Sequence, residues 1–172
     1  MITRSLTQSE LKTLIHYDPE TGRMIRLVSP GPCIKVGDEV KGKSVRGYRR
    51  AMIHGVRYKA HDLVWLYMTG SFPKEIIDHI DCNTDNLKWN NLREATQIQN
   101  CHNKSVSRLN TSGYKGVKWH KGSQKWCGVI GYKNRRIFVG NFDTKEAAFE
   151  ATRIMREKLY GEFANHGVRR AA

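Results

Sequence analysis

The sequence predicts an α+β protein made of two units in tandem, the second a three-stranded antiparallel sheet packed on one helix. Three observations carry this. At roughly 100 to 200 residues per domain, a chain of 172 residues with 39% hydrophobic content has room for one domain or two small ones. Strand-like runs broken by short turns occur in both halves, each half also containing a helical pattern. Between them Lys104 to Gly113, KSVSRLNTSG, is polar and lacks an apolar period, as expected of a boundary. The expected organisation is a first unit at residues 1–104, a linker at 105–112 and a second unit at 113–172.

In the first unit, LTQSELKTLIHYDPETG predicts a short helix, with Leu11, Leu14 and Ile15 at helical spacing, closed by an Asp-Pro-Glu-Thr-Gly turn. GYRRAMIHG and VRYKAH flank Gly55 as a hairpin, with Tyr48, Ala51 and Ile53 set against Val56 and Tyr58. HDLVWLYMTG, apolar from Leu63 to Met68, predicts a buried helix ended by Gly70, with Trp65 in the core. Ile76 and Ile77 then lead a strand into Asp78 and His79, an Asn- and Asp-rich loop follows, and Leu92 to Asn103 returns as a helix.

The second unit is clearer. KGVKWH, KWCGVIGYK and RIFVGNF are three strand-like runs, and DTKEAAFEATRIMREKLYG is an amphipathic helix. Asp143 is the expected cap, Glu146 closes a capping box, Ala148, Ala151, Met155 and Leu159 form the apolar stripe, and Gly161 stops the helix. Trp126 is expected in the core, whereas Trp119 can face either side.

Charge narrows the partner. Thirty Lys and Arg against 16 Asp and Glu leave a net charge of +14, and such a chain gains affinity for a polyanion by releasing condensed counterions. A ribosomal or general RNA-binding protein has the same overall balance. The charge is also one-sided along the chain. From Ala95 to Phe142 there is no Asp or Glu, and this stretch predicts a phosphate-facing surface. No apolar run approaches the roughly 18 residues of a membrane span, and the first residues lack a signal-peptide core, so a cytoplasmic protein with no membrane partner is expected. Cys33, Cys82, Cys101 and Cys127 contain no C-x-x-C pair and are read as small buried side chains rather than disulfides or a zinc site.

The densest polar cluster is IIDHIDCNTDNLKWNNLREATQIQNCHN. A carboxylate at a strand end, an adjacent imidazole facing the other way and an amide on the following helix can serve different atoms of one reaction. Phosphodiester cleavage needs an activated water and charge compensation at the leaving oxygen. An imidazole with a reference pKa of about 6.5 suits the first. A hard divalent ion held by one carboxylate oxygen, one amide oxygen and waters suits the second. Asp78 and Asn100 supply those two oxygens, and Asn103, one turn on, is the alternative amide.

This segment resembles the HNH, or ββα-metal, endonuclease family, in the phage and intron-encoded variant whose final His is replaced by Asn. The resemblance spans about residues 7 to 104, because LxxLIxYDPETG also recurs at the start of such nucleases. It implies His79 as general base, Asn91 as the residue that ties the loop and orients the imidazole, Asp78 and Asn100 as ligands of one Mg2+ or Mn2+ ion, and double-stranded DNA as substrate. His61 is read as structural. Similar proteins usually carry Gly where Cys82 stands.

GYKGVKWHKGSQKWCGVIGYKNRRIFVGNFDTKEAAFEAT resembles the AP-two/ERF-type DNA-binding domain of plant regulators, over roughly Ser112 to His166. That resemblance implies DNA contacts from Lys115, Lys118, His120, Arg136 and Phe138. The basic stretch adds Lys104, Arg108, Lys121, Lys125 and Arg135 to the DNA-binding set. A lysine cannot give the bidentate fork with which Arg reads guanine, so these residues predict positioning more than stringent readout. The resulting expectation is a phage-type, metal-dependent endonuclease of the homing kind in a bacterial host cytoplasm. It nicks as a monomer or cuts both strands as a homodimer. The alternative is a DNA-binding regulator on an inactive HNH scaffold.

Overall fold

The computed structural model describes residues 6–42, 47–107, 109–133 and 135–167. Contacts divide the chain into two compact units, Met1–Thr96 and Gln97–Ala172, and the fold is α+β as the sequence predicts.

The first unit opens with α1 (Gln8–Leu14), whose Thr7 side chain accepts from the Glu10 amide at the N-cap. Ile15, counted into the helix by spacing, instead begins β1 (Ile15–Tyr17), which pairs antiparallel with β2 (Met24–Arg26). The Asp-Pro-Glu-Thr-Gly turn joins them and explains its glycine. Gly22 has φ of +72°, and a Cβ there would lie 2.6 Å from the Lys88 nitrogen, so the turn packs directly on the backbone that leads into the polar cluster. Tyr17 Oη donates to the Leu87 carbonyl at 2.6 Å and the Trp89 amide to the Pro19 carbonyl at 3.0 Å, fixing that approach. Burial pushes the Tyr17 phenol up, so it stays a donor.

The Gly55 hairpin forms as expected, with β3 (Arg50–Ile53) on β4 (Val56–Lys59) and Ala51 opposite Tyr58. It runs into α2 (Ala60–Thr69), closed by Gly70 in the left-handed conformation. Leu11, Leu63 and Val64 are fully buried at the centre of this unit's core, which also takes Ile15, Met24, Ile77 and Leu92. Each such side chain contributes about 1.5–3 kcal/mol of burial. Trp65 packs at the edge against Trp89, ring centres 5.1 Å apart.

β5 (Ile76–His79) and β6 (Leu92–Ala95) make a third hairpin, in which Asp78 opposes Arg93 and His79 opposes Leu92. The sequence predicts one helix over Leu92 to Asn103. The first four of these residues are instead a strand, because pairing with β5 and burial of Leu92 and Ala95 outweigh local propensity. Only Gln97–His102 is helical (α3).

α3 falls within the second unit. There β7 (Val117–His120), β8 (Lys125–Tyr132) and β9 (Arg135–Phe142) form an antiparallel sheet in that order, with a bulge at Gly128/Val129. α4 (Lys145–Tyr160) packs on it, and Gly128 is the point of closest approach, since a Cβ there would meet Thr152 Cγ2 at 2.8 Å. The α4 cap is Thr144, whose hydroxyl accepts from the Ala147 amide, rather than Asp143. The buried stripe is Ala148, Thr152 and Arg156, with Ala151, Met155 and Leu159 only half-buried. Arg156 can lie inside because it donates to the Lys115 carbonyl at 2.8 Å and lies 3.2 Å from His166 Nδ1. Trp126 is half-buried and Trp119 45% exposed, the two rings meeting edge to face. Cys82 and Cys127 are buried as expected, whereas Cys33 and Cys101 are exposed.

Candidate active site and nucleic-acid surface

The end of the β5–β6 hairpin brings a carboxylate and an imidazole together below the surface. Asp78 and His79 are each 4% exposed. Arg93, directly across the ladder, donates from Nε and Nη2 to the same Asp78 oxygen, Oδ2, at 3.0 Å each. The short span is what makes this possible, because opposed strand residues hold their side chains on one face.

His79 turns into a cluster of rings. The His61 ring centre is 5.2 Å away, edge to face, and Tyr48 is 5.4 Å from His61 and 6.3 Å from His79. His61, expected from the sequence to be structural, is buried on α2 and also forms one wall of the His79 site. No sequence signal joins residues 18 positions apart on different elements, so only the fold reveals the contact. Burial first, then repulsion from His79 and Lys59, pull the His61 imidazole down to about 3, and burial also raises its neighbour Asp62, 3.3 Å from His61 Nε2.

This depression has a stability consequence. Between the unfolded value near 6.5 and the folded value of about 3, the unfolded chain binds the extra proton. The His61 contribution is therefore complete above about pH 6.5 and is lost as pH falls through that window, by up to about 1.4 kcal/mol per unit. Thermal melts at about pH 7 and about pH 4.5 should show a smaller acid shift for His61→Phe than for the parent protein. Equal shifts in the two proteins would remove His61 as the group responsible.

The loop after β5 is held by Asn91. Its Oδ1 accepts from the Asp81 amide at 3.0 Å, and its Nδ2 donates to Asp81 Oδ1 and the Asn86 carbonyl, both at 2.9 Å. These bonds tie the loop, whereas the rings of Tyr48 and His61 are what pack the His79 imidazole. Cys82 occupies a left-handed turn with φ of +60°, its amide donating to the His79 carbonyl at 2.8 Å. That conformation costs a non-glycine residue roughly 1–2 kcal/mol. Among the described residues no group of three or more His, Cys, Asp or Glu could hold a metal ion.

Asn100 and Asn103 belong to the second unit. Asn100 is half-buried on α3, and Asn103 is buried and accepts from Asn165 Nδ2 at 3.1 Å. Lys118, His120 and Lys125 stand one residue out of phase with the α4-facing Val117 and Gly128, on the sheet face turned away from the helix. Beyond the bulge, Arg136 opposes Gly131 and the 62% exposed Phe138 opposes Val129. Lys121 is exposed in the β7–β8 turn, and Lys104 and Arg135 are exposed too. Arg108 lies outside the described residues. Lys115 differs from the rest: its ammonium donates to the carbonyls of His102 (2.9 Å), Lys104 (2.6 Å) and Asn165 (2.9 Å), so its charge is engaged inside the fold.

Residues 58–102, which contain the β5–β6 hairpin and α3, match the family model described as HNH endonuclease. Protein 3.8 of Escherichia phage T7 is 37% identical over 111 residues, covering 62% of this chain and 91% of that protein. The chain belongs to the HNH endonuclease family. A mimivirus relative, uncharacterized HNH endonuclease L560 of Acanthamoeba polyphaga mimivirus, is 39% identical over 101 residues, which is 58% of this chain and 51% of that longer protein. Among solved structures, the HNH homing endonuclease I-HmuI with DNA aligns over 84% of this chain and 80% of its own, at 24% identity and a TM-score of 0.39. Among the described residues, no helix of this HNH protein is long and apolar enough to cross a membrane.

Proposed function

We propose that this HNH endonuclease hydrolyses phosphodiester bonds of double-stranded DNA with His79 as general base and one divalent ion as cofactor. The observation that carries the reading is the buried Asp78–His79 pair at the end of the β5–β6 hairpin. Arg93 compensates the buried carboxylate, and the buried imidazole beside it falls within the family-matched segment, where clustered buried titratable groups mark functional sites.

His79 takes the proton from the attacking water, and its ring is held in orientation by the walls of His61 and Tyr48. Asn91 keeps the loop after β5 closed through Asp81 and Asn86, which fixes where that imidazole ends. Asp78 and Asn100 are the residues that would hold the ion. Their oxygens suit Mg2+ or Mn2+, since hard cations of this size keep several waters and need only one or two protein carboxylates. When bound, the ion supplies charge compensation at the departing 3′ oxygen. Products with 5′ phosphate and 3′ hydroxyl are expected.

The second unit, with the sequence pattern of an AP-two/ERF-like domain, is proposed to grip the duplex through Lys118, His120, Lys125 and Arg136. The run without acidic residues from Ala95 to Phe142 supports this. Lys104, Lys121 and Arg135 extend that surface, and Arg108 is proposed to add a further DNA contact. Lys115 supports it from within, through its three carbonyls. A homing-type role in a bacterial host cytoplasm is part of this proposal, and a relative encoded by an Escherichia phage supports the bacterial setting.

The test is relaxation of supercoiled plasmid by purified protein with magnesium, with manganese and with chelator. Metal-dependent open circles or linear DNA are expected, and the two products separate a nicking monomer from a paired cut. Intact plasmid under every condition, with gel-shift binding retained, would replace the enzyme by a DNA-binding regulator.

A further inference from the structure

The second unit contains a groove at the Tyr132–Arg135 end of its sheet, which shares Arg135 and Arg136 with the basic surface proposed for the duplex. It has a volume of about 740 Å³, within the roughly 300–1,000 Å³ usual for small-ligand sites. One wall is a run of rings: His102 lies flat on Tyr160, with centres 3.7 Å apart and planes 4° off parallel, and Tyr132 stands 6.2 and 6.3 Å from the two at 25–28°. The Tyr160 hydroxyl donates to the Gly131 carbonyl, which fixes that ring to the sheet. At the hairpin end stand three cations, Lys133, Arg135 and Arg136, with Lys133 Nζ 5.3 Å above the Tyr132 ring. Among the described lining residues none is acidic.

We propose that this groove holds an unpaired nucleotide of a DNA strand, its base against the ring wall and its phosphates on Lys133, Arg135 and Arg136. The inference rests on reading the chain as a DNA enzyme and adds a second mode of contact to it. A base inside a duplex has both faces covered by its neighbours, so a ring wall finds nothing there to stack on. An unpaired base offers a free face, and aromatic stacking beside cations is how single strands are held without sequence preference. Lys118, His120 and Lys125 on the sheet face serve duplex phosphates, and Arg135 and Arg136 stand where the two surfaces meet. The groove serves a strand that has left the duplex, such as one freed at a nick or a distorted site.

The test uses the full chain in chelator, so that cleavage plays no part, with fluorescein-labelled oligothymidylate and a labelled duplex of the same length. Tyr132→Leu keeps the apolar bulk and removes the ring, and among the described residues the Tyr132 hydroxyl makes no hydrogen bond. Loss of one stacking partner should weaken oligothymidylate binding by about five- to 150-fold while duplex binding changes less than twofold. Tyr132→Phe, which keeps the ring, should bind as the parent protein does. Unchanged oligothymidylate binding by Tyr132→Leu would overturn the proposal, as would equal losses for single strand and duplex, which would make the groove part of the duplex surface. Tighter binding of oligouridylate than of oligothymidylate would overturn the assignment to DNA. Plasmid relaxation, run separately with metal, reports on the nuclease reading: intact plasmid alongside a Tyr132-dependent single-strand site would sink that reading and leave the groove standing.

Discussion

His79→Ala is expected to lower metal-dependent nicking of supercoiled plasmid by about 10²- to 10⁴-fold, the usual contribution of a positioned general base. Gel-shift affinity for the same DNA should stay within about twofold, because the basic residues from Lys104 onward are untouched and phosphate contacts supply most of such binding. The imidazole is buried against Tyr48 and His61, so truncation also leaves a cavity, and removing a large buried side chain costs about 2–5 kcal/mol. His79→Gln separates the two effects. It fills most of the volume and keeps a polar tip, yet cannot take a proton near neutral pH. If the glutamine variant melts close to the parent protein and is as inactive as the alanine variant, the lost activity belongs to proton transfer. A glutamine variant that nicks at the parental rate would remove His79 from the reaction.

What could be read from the sequence, and what could not, divides by the range of the interaction that decides each feature. The Gly55 hairpin, the Gly70 and Gly161 helix stops and the three strands of the second unit are set by residues within a few positions of one another. Turn and cap chemistry acts at that range. β6 was misread as helix because Leu92, Arg93, Glu94 and Ala95 are all good helix formers, and only the partner strand 16 residues earlier decides otherwise. The α4 cap lies one residue beyond the expected Asp143, at Thr144, because both are cap-forming residue types and the small difference in their preference does not fix the first turn. Lys115 looked like one more cation of a basic run. Its carbonyl partners, His102, Lys104 and Asn165, lie up to 50 residues away and leave no local mark. At the candidate site, the residue types of Asp78, His79 and Asn91 were legible because the motif is contiguous. The ring walls from Tyr48 and His61, and the hold of Arg93 on Asp78, were not, since each comes from the folding of separate segments.

Arg93→Leu is expected to be the most destabilising change at the site, by about 3–5 kcal/mol, the usual cost of removing one partner from a buried ion pair. Asp78 is 4% exposed, the Arg93 side chain only 16%, and both guanidinium donors converge on one oxygen of the carboxylate. Little water reaches the pair to screen it, so the lost bonds are not replaced by solvation. If the penalty comes from stranding a charge, then Asp78→Leu made in the Arg93→Leu background should restore much of the stability, because two apolar side chains facing each other across β5 and β6 strand nothing. Urea unfolding with a common slope measures both variants. Recovery of stability in the double variant with no recovery of nicking would assign the Arg93 contact to architecture and the Asp78 carboxylate to chemistry. A loss below about 1 kcal/mol for Arg93→Leu alone would instead class the pair with exposed ion pairs, which contribute that little, and the carboxylate would then have to be held by the rest of its surroundings rather than by the cross-strand arginine.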